Sequence, residues 1–186
     1  SNGIDVNYFN KDEVAIADQQ TLKTQLGIQE NDFVFIFVGR LVKDKGINEL
    51  ITAFKNLNQS LRNAALKQSL KLLLVGPLEQ ELDPLLPDTL AAIQSHPQII
   101  TVGFQEDVRL YFSISNCLVF PSYREGFPNA VLQAGAMSLP SIVTNINGCN
   151  EIIYEGENGL IIPVKNEKDL EAAMIKNIER SEIYEK

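Results

Sequence analysis

Six short apolar runs, separated by segments with helical periodicity, leave this chain few folds to choose from. Phe33 to Val38, Leu70 to Val75, Ile99 to Val102, Cys117 to Phe120, Ser141 to Thr144 and Leu160 to Ile162 are rich in β-branched and aromatic residues. They are apolar along most of their length, whereas a strand with one face in water alternates apolar with polar. Near-continuous runs need cover on both faces. The intervening segments can supply it: Ile47, Leu50, Ile51, Phe54 and Leu57 recur at helical spacing, as do Val108, Tyr111 and Phe112, and later Leu170, Ala173 and Met174. This alternation predicts a doubly wound, Rossmann-like α/β fold, a parallel sheet of about six strands with helices on both faces. Residues 1–32 read as a lead-in segment. Residues 77–90, with Pro77, Pro84 and Pro87 among acids and leucines, read as a loop leading into a helix.

With 186 residues and 45% hydrophobic content, the chain suits one domain spanning 1–186 with its own core. A formal net charge of -8, with no compensating block of Lys and Arg, argues against a nucleic-acid partner. The apolar runs fall far short of the ~20 residues that a membrane-spanning helix needs. Cys117 and Cys149 have neither metal-site spacing nor the density of a disulfide scaffold, which predicts a reducing, cytoplasmic setting. The chain starts at Ser1 and stops within the charged helical run Glu171 to Lys186, so it reads as one part of a longer protein.

In a doubly wound sheet, ligands bind at the carboxyl ends of the strands. The residues there are Gly39-Arg40, Gly76-Pro77, Gly103-Phe104, Pro121 to Asn129, and Asn145 to Glu151. Pro121 to Asn129 runs from a strand through a glycine-bearing turn into a helix. With Pro128 at the first helical position, the amides of Phe127, Asn129 and Ala130 should face the cleft and favour an anionic guest. Arg40 at a strand tip and Lys45 at the start of the next helix should face the same crevice, where they suit a diphosphate and the charge that grows on it as a leaving group. The alternative is a solvated Lys43–Lys45 turn with Arg40 paired to a surface acid. The glycines do not form the GxGxxG of dinucleotide binders, so hydride transfer has no support. No Asp-x-Asp pair follows a strand, so no metal is expected. His96 reads as a surface residue and Cys149 as a small buried side chain.

Three motifs resemble glycosyltransferase family 4, the glycosyl transferases group 1. They are Gly39-Arg40-x4-Lys45-Gly46, Pro121-Ser122-x2-Glu125-Gly126-Phe127, and Asn2-Gly3-Ile4-Asp5-x3-Phe9. The similarity is to the carboxyl-terminal half of these enzymes, which have two Rossmann-like domains in the GT-B architecture; the second domain binds a nucleotide-sugar donor. The amino-terminal acceptor domain would then lie outside this sequence. The resemblance implies that Arg40 and Lys45 contact the donor diphosphate and that Glu125 binds hydroxyls of the transferred sugar. It places the turn and helix start, Gly126, Phe127, Asn129 and Ala130, around the phosphates, with Gly39 alongside. Where the family usually carries a second glutamate, this chain has Gln133. The amide can still bind a ribose, but forfeits a charge-assisted bond worth ~1 kcal/mol more than a neutral one. Asn129, one turn earlier, can share the ribose or phosphate contact. Gly103 and Phe104 match positions near the base, or else form a turn glycine and a core phenylalanine. Gly148 and Glu151 match positions near the donor sugar, or else belong to a helix start capped by Asn147 or Asn150.

The resemblance further implies a retaining transfer of a hexosyl-type sugar from a UDP- or GDP-linked donor, without metal or cofactor, in which the leaving phosphate oxygen takes the acceptor's proton. The acceptor, a glycan or lipid-linked glycan, would be reached through the amino-terminal domain, so this domain alone should bind donor and turn over nothing. The wording Glu125-Gly126-Phe127-Pro128-Asn129, Gln133-Ala134-Gly135-Ala136-Met137 and Thr144-Asn145-Ile146-Asn147-Gly148 looks like bacterial enzymes of capsule, exopolysaccharide or lipopolysaccharide O-chain synthesis. These act at the cytoplasmic face of the inner membrane, where the full-length protein could associate peripherally. Two other readings are a nucleotide-sugar 2-epimerase of the same architecture and a non-catalytic nucleotide-binding module.

Overall fold

The computed structural model describes residues 3–64 and 68–184. Its strands are β1 (Phe33–Val38), β2 (Leu70–Val75), β3 (Ile99–Gly103), β4 (Cys117–Phe120), β5 (Ser141–Thr144) and β6 (Gly159–Ile162). All neighbours pair in parallel, in the order β3-β2-β1-β4-β5-β6. The order reverses between β1 and β4, which places a switch-point crevice outside their carboxyl ends. Phe35, Ile36 and Phe37 on β1, Leu72 to Leu74 on β2 and Leu118 and Val119 on β4 are all fully buried. Successive residues of a strand point to opposite faces, so both faces of the sheet are covered.

The helices are α1 (Ile16–Leu26), α2 (Ile47–Asn63), α3 (Pro87–Ser95), α4 (Arg109–Ser113), α5 (Asn129–Ala136), α6 (Cys149–Ile152) and α7 (Glu167–Tyr184). Helix α2 packs against α3 and α7, α1 against α4, and α5 against α6. The stripe predicted for α2 is its core face: Ile47, Leu50, Ile51, Phe54 and Leu57 are buried. Removing a large buried aromatic such as Phe54 would cost about 3–5 kcal/mol.

Three expectations need correction. Residues 1–32 hold a helix, α1, of which only Leu22 is buried, so its apolar signal was too thin to read; Gly27, left-handed at φ 71°, ends it. His96 is half-buried rather than on the surface, with its ring 6.0 Å from that of Phe54. Burial, followed by the charges of Arg62 and Lys55, holds its imidazole below the usual histidine range. Pro128, with ψ 75°, stands outside the helix as its N-cap, so α5 begins one residue later than expected. Asn2 of the opening motif and Lys186 of the final run lie outside the described residues.

Candidate functional site

Two loops meet at the switch point. Between β1 and α2 the chain makes a 3-10 turn over Lys43–Lys45, so Lys45 precedes the helix instead of beginning it. Gly46 then turns left-handed at φ 75°, and a Cβ there would lie 2.1 Å from the Pro121 carbonyl oxygen. Only glycine lets the β1–α2 loop come this close to the end of β4. The Tyr123 amide donates to the Asp44 carbonyl at 2.8 Å, joining the loops a second time.

This contact brings Lys45 onto Glu125. The Lys45 ammonium donates to Glu125 Oε1, and the two side chains are only 16% and 11% exposed. Ser122, fully buried, has its hydroxyl 2.9 Å from the same oxygen. Thr144 at the end of β5 donates to the Ser122 carbonyl, which anchors the turn from below. Cys149 lies close enough to feel this pair. Burial, with a contribution from the Glu125 charge that Lys45 opposes, pushes its thiol up to about 12, so it stays protonated and unreactive.

Arg40 sits at the tip of β1, half exposed, with its guanidinium 3.5 Å from Glu79 of the β2–α3 loop. The two cations expected to face one crevice therefore each have a carboxylate partner. For Arg40 this is the surface-acid pairing that the sequence left open. Gly39, Gly76 and Gly103 lie side by side: the Gly39 amide donates to Val75 and the Gly76 amide to Gly103, both at 2.9 Å. A Cβ on Gly76 would lie 1.7 Å from the Gly39 carbonyl oxygen. Phe104, just beyond, is 73% exposed and so is not a core phenylalanine.

The amides of the β4–α5 turn divide in two. That of Asn129 donates to the Phe127 carbonyl at 2.9 Å, so it is already engaged, contrary to expectation. Those of Phe127 and Ala130 find no backbone acceptor among the described residues, and remain suited to an anion. The loop before α6 seats on this turn, since a Cβ on Gly148 would come 3.0 Å from Pro128 Cδ. Gly148 is itself the N-cap of α6, without a side-chain cap; Asn150 instead donates to the Asn145 side chain at 3.1 Å. Capping by Asn147 or Asn150 is thereby excluded. Gly126 and Asn129 are exposed, Gln133 is half-buried on the same helix, and Glu151 is exposed on α6 with no ion pair among the described residues.

The sequence reading missed Ser122 as a ligand of Glu125, although it stands in the motif, and also Tyr123, whose hydroxyl donates to Glu49 at 2.5 Å. Burial first, then the Glu49 bond and the charges of Glu49, Asp83 and Asp44, raise the Tyr123 phenol above its ordinary range. Among the described residues no group of three or more His, Cys, Asp or Glu is placed to hold a metal, and no helix is long and apolar enough to cross a membrane. A cavity of about 580 Å³ adjoins the Arg40 side of the site. A larger, mainly apolar one of about 710 Å³ runs between Ile4, Val6 and the later part of α5, but holds none of the charged groups described above.

Residues 18–186 match the family described as glycosyl transferases group 1, and the chain belongs to that family. Over 162 residues it is 34% identical to the capsular polysaccharide biosynthesis glycosyltransferase CapM of Staphylococcus aureus, covering 87% of this chain and 40% of that protein. Over 165 residues it is 29% identical to the UDP-Gal:alpha-D-GlcNAc-diphosphoundecaprenol alpha-1,3-galactosyltransferase of Escherichia coli, covering 89% and 41% respectively. The chain thus spans about 40% of the length of these relatives. The fold is shared with Anabaena HepE in complex with UDP-glucose, at a TM-score of 0.81 and 23% identity over 97% of this chain and 47% of that one. It is also shared with the C-terminal domain of a glycosyl transferase group 1 family protein, LpcC, from Francisella tularensis, at a TM-score of 0.75 and 23% identity over 97% and 90%.

Proposed function

We propose that this chain is the donor-binding domain of a retaining glycosyltransferase that moves a sugar from a nucleoside-diphosphate sugar to a hydroxyl of a glycan or lipid-linked glycan in bacterial surface-polysaccharide synthesis. The observation that carries the proposal is the Lys45–Glu125–Ser122 constellation at the β1/β4 switch point, beside the two unengaged amides of the β4–α5 turn. A UDP-linked donor is favoured because the Escherichia coli relative is named for UDP-Gal and the Anabaena neighbour was solved with UDP-glucose.

In this reading the diphosphate enters between the β1 and β4 tips. Arg40 exchanges the half-buried Glu79 carboxylate for a phosphate, and Lys45 adds a second positive charge. The Phe127 and Ala130 amides complete the cradle. Glu125, oriented by Lys45 and Ser122, accepts hydroxyls of the sugar. As the bond from the anomeric carbon to the diphosphate oxygen breaks, charge grows on the leaving group and these cations stabilise it. The acceptor oxygen bonds to the same carbon and gives its proton to the departing phosphate oxygen. Gln133 and Asn129 serve the ribose, Gly103 and Phe104 the base, and Gly148 and Glu151 the far side of the sugar. No metal is required, since the side-chain cations neutralise the diphosphate.

The acceptor site belongs to an amino-terminal domain, so this domain alone binds donor without turnover; the complete enzyme works at the cytoplasmic face of the membrane. Calorimetric titration with UDP and UDP-hexoses tests the proposal. Micromolar to millimolar binding that Glu125→Ala weakens more for the sugar-bearing ligands than for UDP is expected, and equal weakening for UDP itself would remove Glu125 from the sugar site.

A further inference from the structure

The Lys45–Glu125 hydrogen bond fastens the two loops of the crevice, yet on the donor reading both side chains must turn towards the donor when it binds. The loops then need a fastener that the donor does not use. Tyr123, two residues before Glu125, is gripped by the β1–α2 segment at both ends: its amide donates to the Asp44 carbonyl at 2.8 Å, and its hydroxyl donates to Glu49 Oε1. Glu49 is the third residue of α2, one helical turn beyond Lys45. A glutamate at that position commonly folds back onto the amide that precedes the helix. Here the Gly46 amide already donates to the Lys43 carbonyl at 3.0 Å, which leaves the Glu49 carboxylate for Tyr123. Among the described residues the Tyr123 hydroxyl is the only hydrogen-bond donor to that carboxylate, whose other oxygen is buried and unbonded. Burial and the Glu49 bond keep the phenol protonated, so it remains a donor. Beyond Tyr123 the turn is held less firmly. Arg124 and Gly126 are exposed, and the Glu125 and Gly126 amides find no backbone acceptor among the described residues.

We infer that Tyr123 is a positioning residue for the sugar end of the donor: its hydroxyl, fixed on Glu49, sets the distance between the loop that carries Lys45 and the turn that carries Glu125. It touches neither diphosphate nor sugar. When the donor draws Lys45 and Glu125 apart, the Tyr123–Glu49 bond persists and keeps the Glu125 carboxylate where the sugar hydroxyls arrive. The assignment to the sugar rests on the donor reading above; the fastening of the two loops does not.

Calorimetry with UDP, UDP-glucose and UDP-galactose on four variants tests the inference. Tyr123→Phe keeps the ring beneath the Lys165 ammonium, 4.8 Å away, and keeps the amide bond to Asp44, so it removes the hydroxyl alone. It should weaken the better-bound UDP-hexose by about fivefold or more while UDP changes by less than about twofold. Glu49→Gln retains an acceptor and should preserve the wild-type preference, whereas Glu49→Leu should reproduce the Tyr123→Phe loss and the Tyr123→Phe/Glu49→Leu double variant should lose no more than either. A merely structural role would weaken UDP and UDP-hexose alike, and that result, or a Glu49→Gln no better than Glu49→Leu, would overturn the inference. Amide hydrogen exchange reads the fastening without a ligand: in Tyr123→Phe the amides at positions 44 and 123 should exchange about fivefold faster or more, with those of Leu72 to Leu74 unchanged. Unaltered exchange at 44 and 123 would also overturn it. Faster exchange in a chain that binds neither UDP nor a UDP-hexose would sink the donor reading and leave the fastening in place.

Discussion

Lys45 and Glu125, eighty residues apart in sequence, share one hydrogen bond inside the switch-point crevice, and each is nearly buried by the loops that bring them together. Neither residue forms another ion pair among the described residues. The pair therefore couples the β1–α2 loop to the β4–α5 turn, and the local stability of the crevice depends on it.

Removing one partner strands the other in a poorly solvated place. Lys45→Met should destabilise the domain by about 2–3 kcal/mol, at or below the bottom of the ~3–5 kcal/mol range for broken buried pairs because some exposure remains. Adding Glu125→Gln should recover most of that loss. Urea denaturation of the two single variants and the double variant measures the coupling, and additive losses would mean that the pair contributes nothing as a pair.

Gly46→Ala tests the loop contact. A methyl 2.1 Å from a backbone oxygen, at a φ that disfavours side chains, forces the loops apart. A loss of about 3 kcal/mol, or roughly 10 °C in Tm, is expected, with nucleotide binding lost alongside.

The legible part of this fold is the part governed by burial. The β1, β2, β4 and β5 bounds were readable because a strand covered on both faces has nearly every residue apolar. Gly103 and Gly159 were missed as strand ends because a glycine adds no apolar signal, and α1 was missed because it buries little beyond Leu22. In the site, the motifs marked the right loops but not the pairings within them. Lys45 and Glu125 were each read towards a ligand, whereas the fold pairs them with one another. Glu79 carries no signal at all, since its contact with Arg40 depends on where the β2–α3 loop falls. The Asn129 amide was misassigned because the ψ of Pro128, on which the helix start depends, is not fixed by proline's ring.

Cys149 gives the domain an alkaline dependence. Its folded thiol is raised to about 12 from an ordinary 9, so its contribution to stability is complete below about 9 and is lost as pH rises from there towards 12. Cys149→Ala should flatten that part of the stability–pH curve. At neutral pH a thiol reagent should label Cys117 and Cys149 only on unfolding, since burial raises both. Rapid labelling of the native chain would contradict the burial.

Gln133→Glu should raise affinity for a nucleoside diphosphate by at most about fivefold, the worth of exchanging a neutral hydrogen bond for a charge-assisted one. Calorimetry with UDP reads this directly. A much larger gain would indicate a nucleotide site that has decayed from its original function.

The most direct test of the central claim is calorimetric titration of the chain with UDP, GDP, CDP and ADP, repeated on Arg40→Ala. The account predicts selective binding of one diphosphate, UDP, that weakens at least tenfold when Arg40 is lost, as expected for a charge-assisted contact of about 1.5–3 kcal/mol. Binding of UDP that is indifferent to Arg40→Ala would contradict it, because the diphosphate could not then lie at the tip of β1.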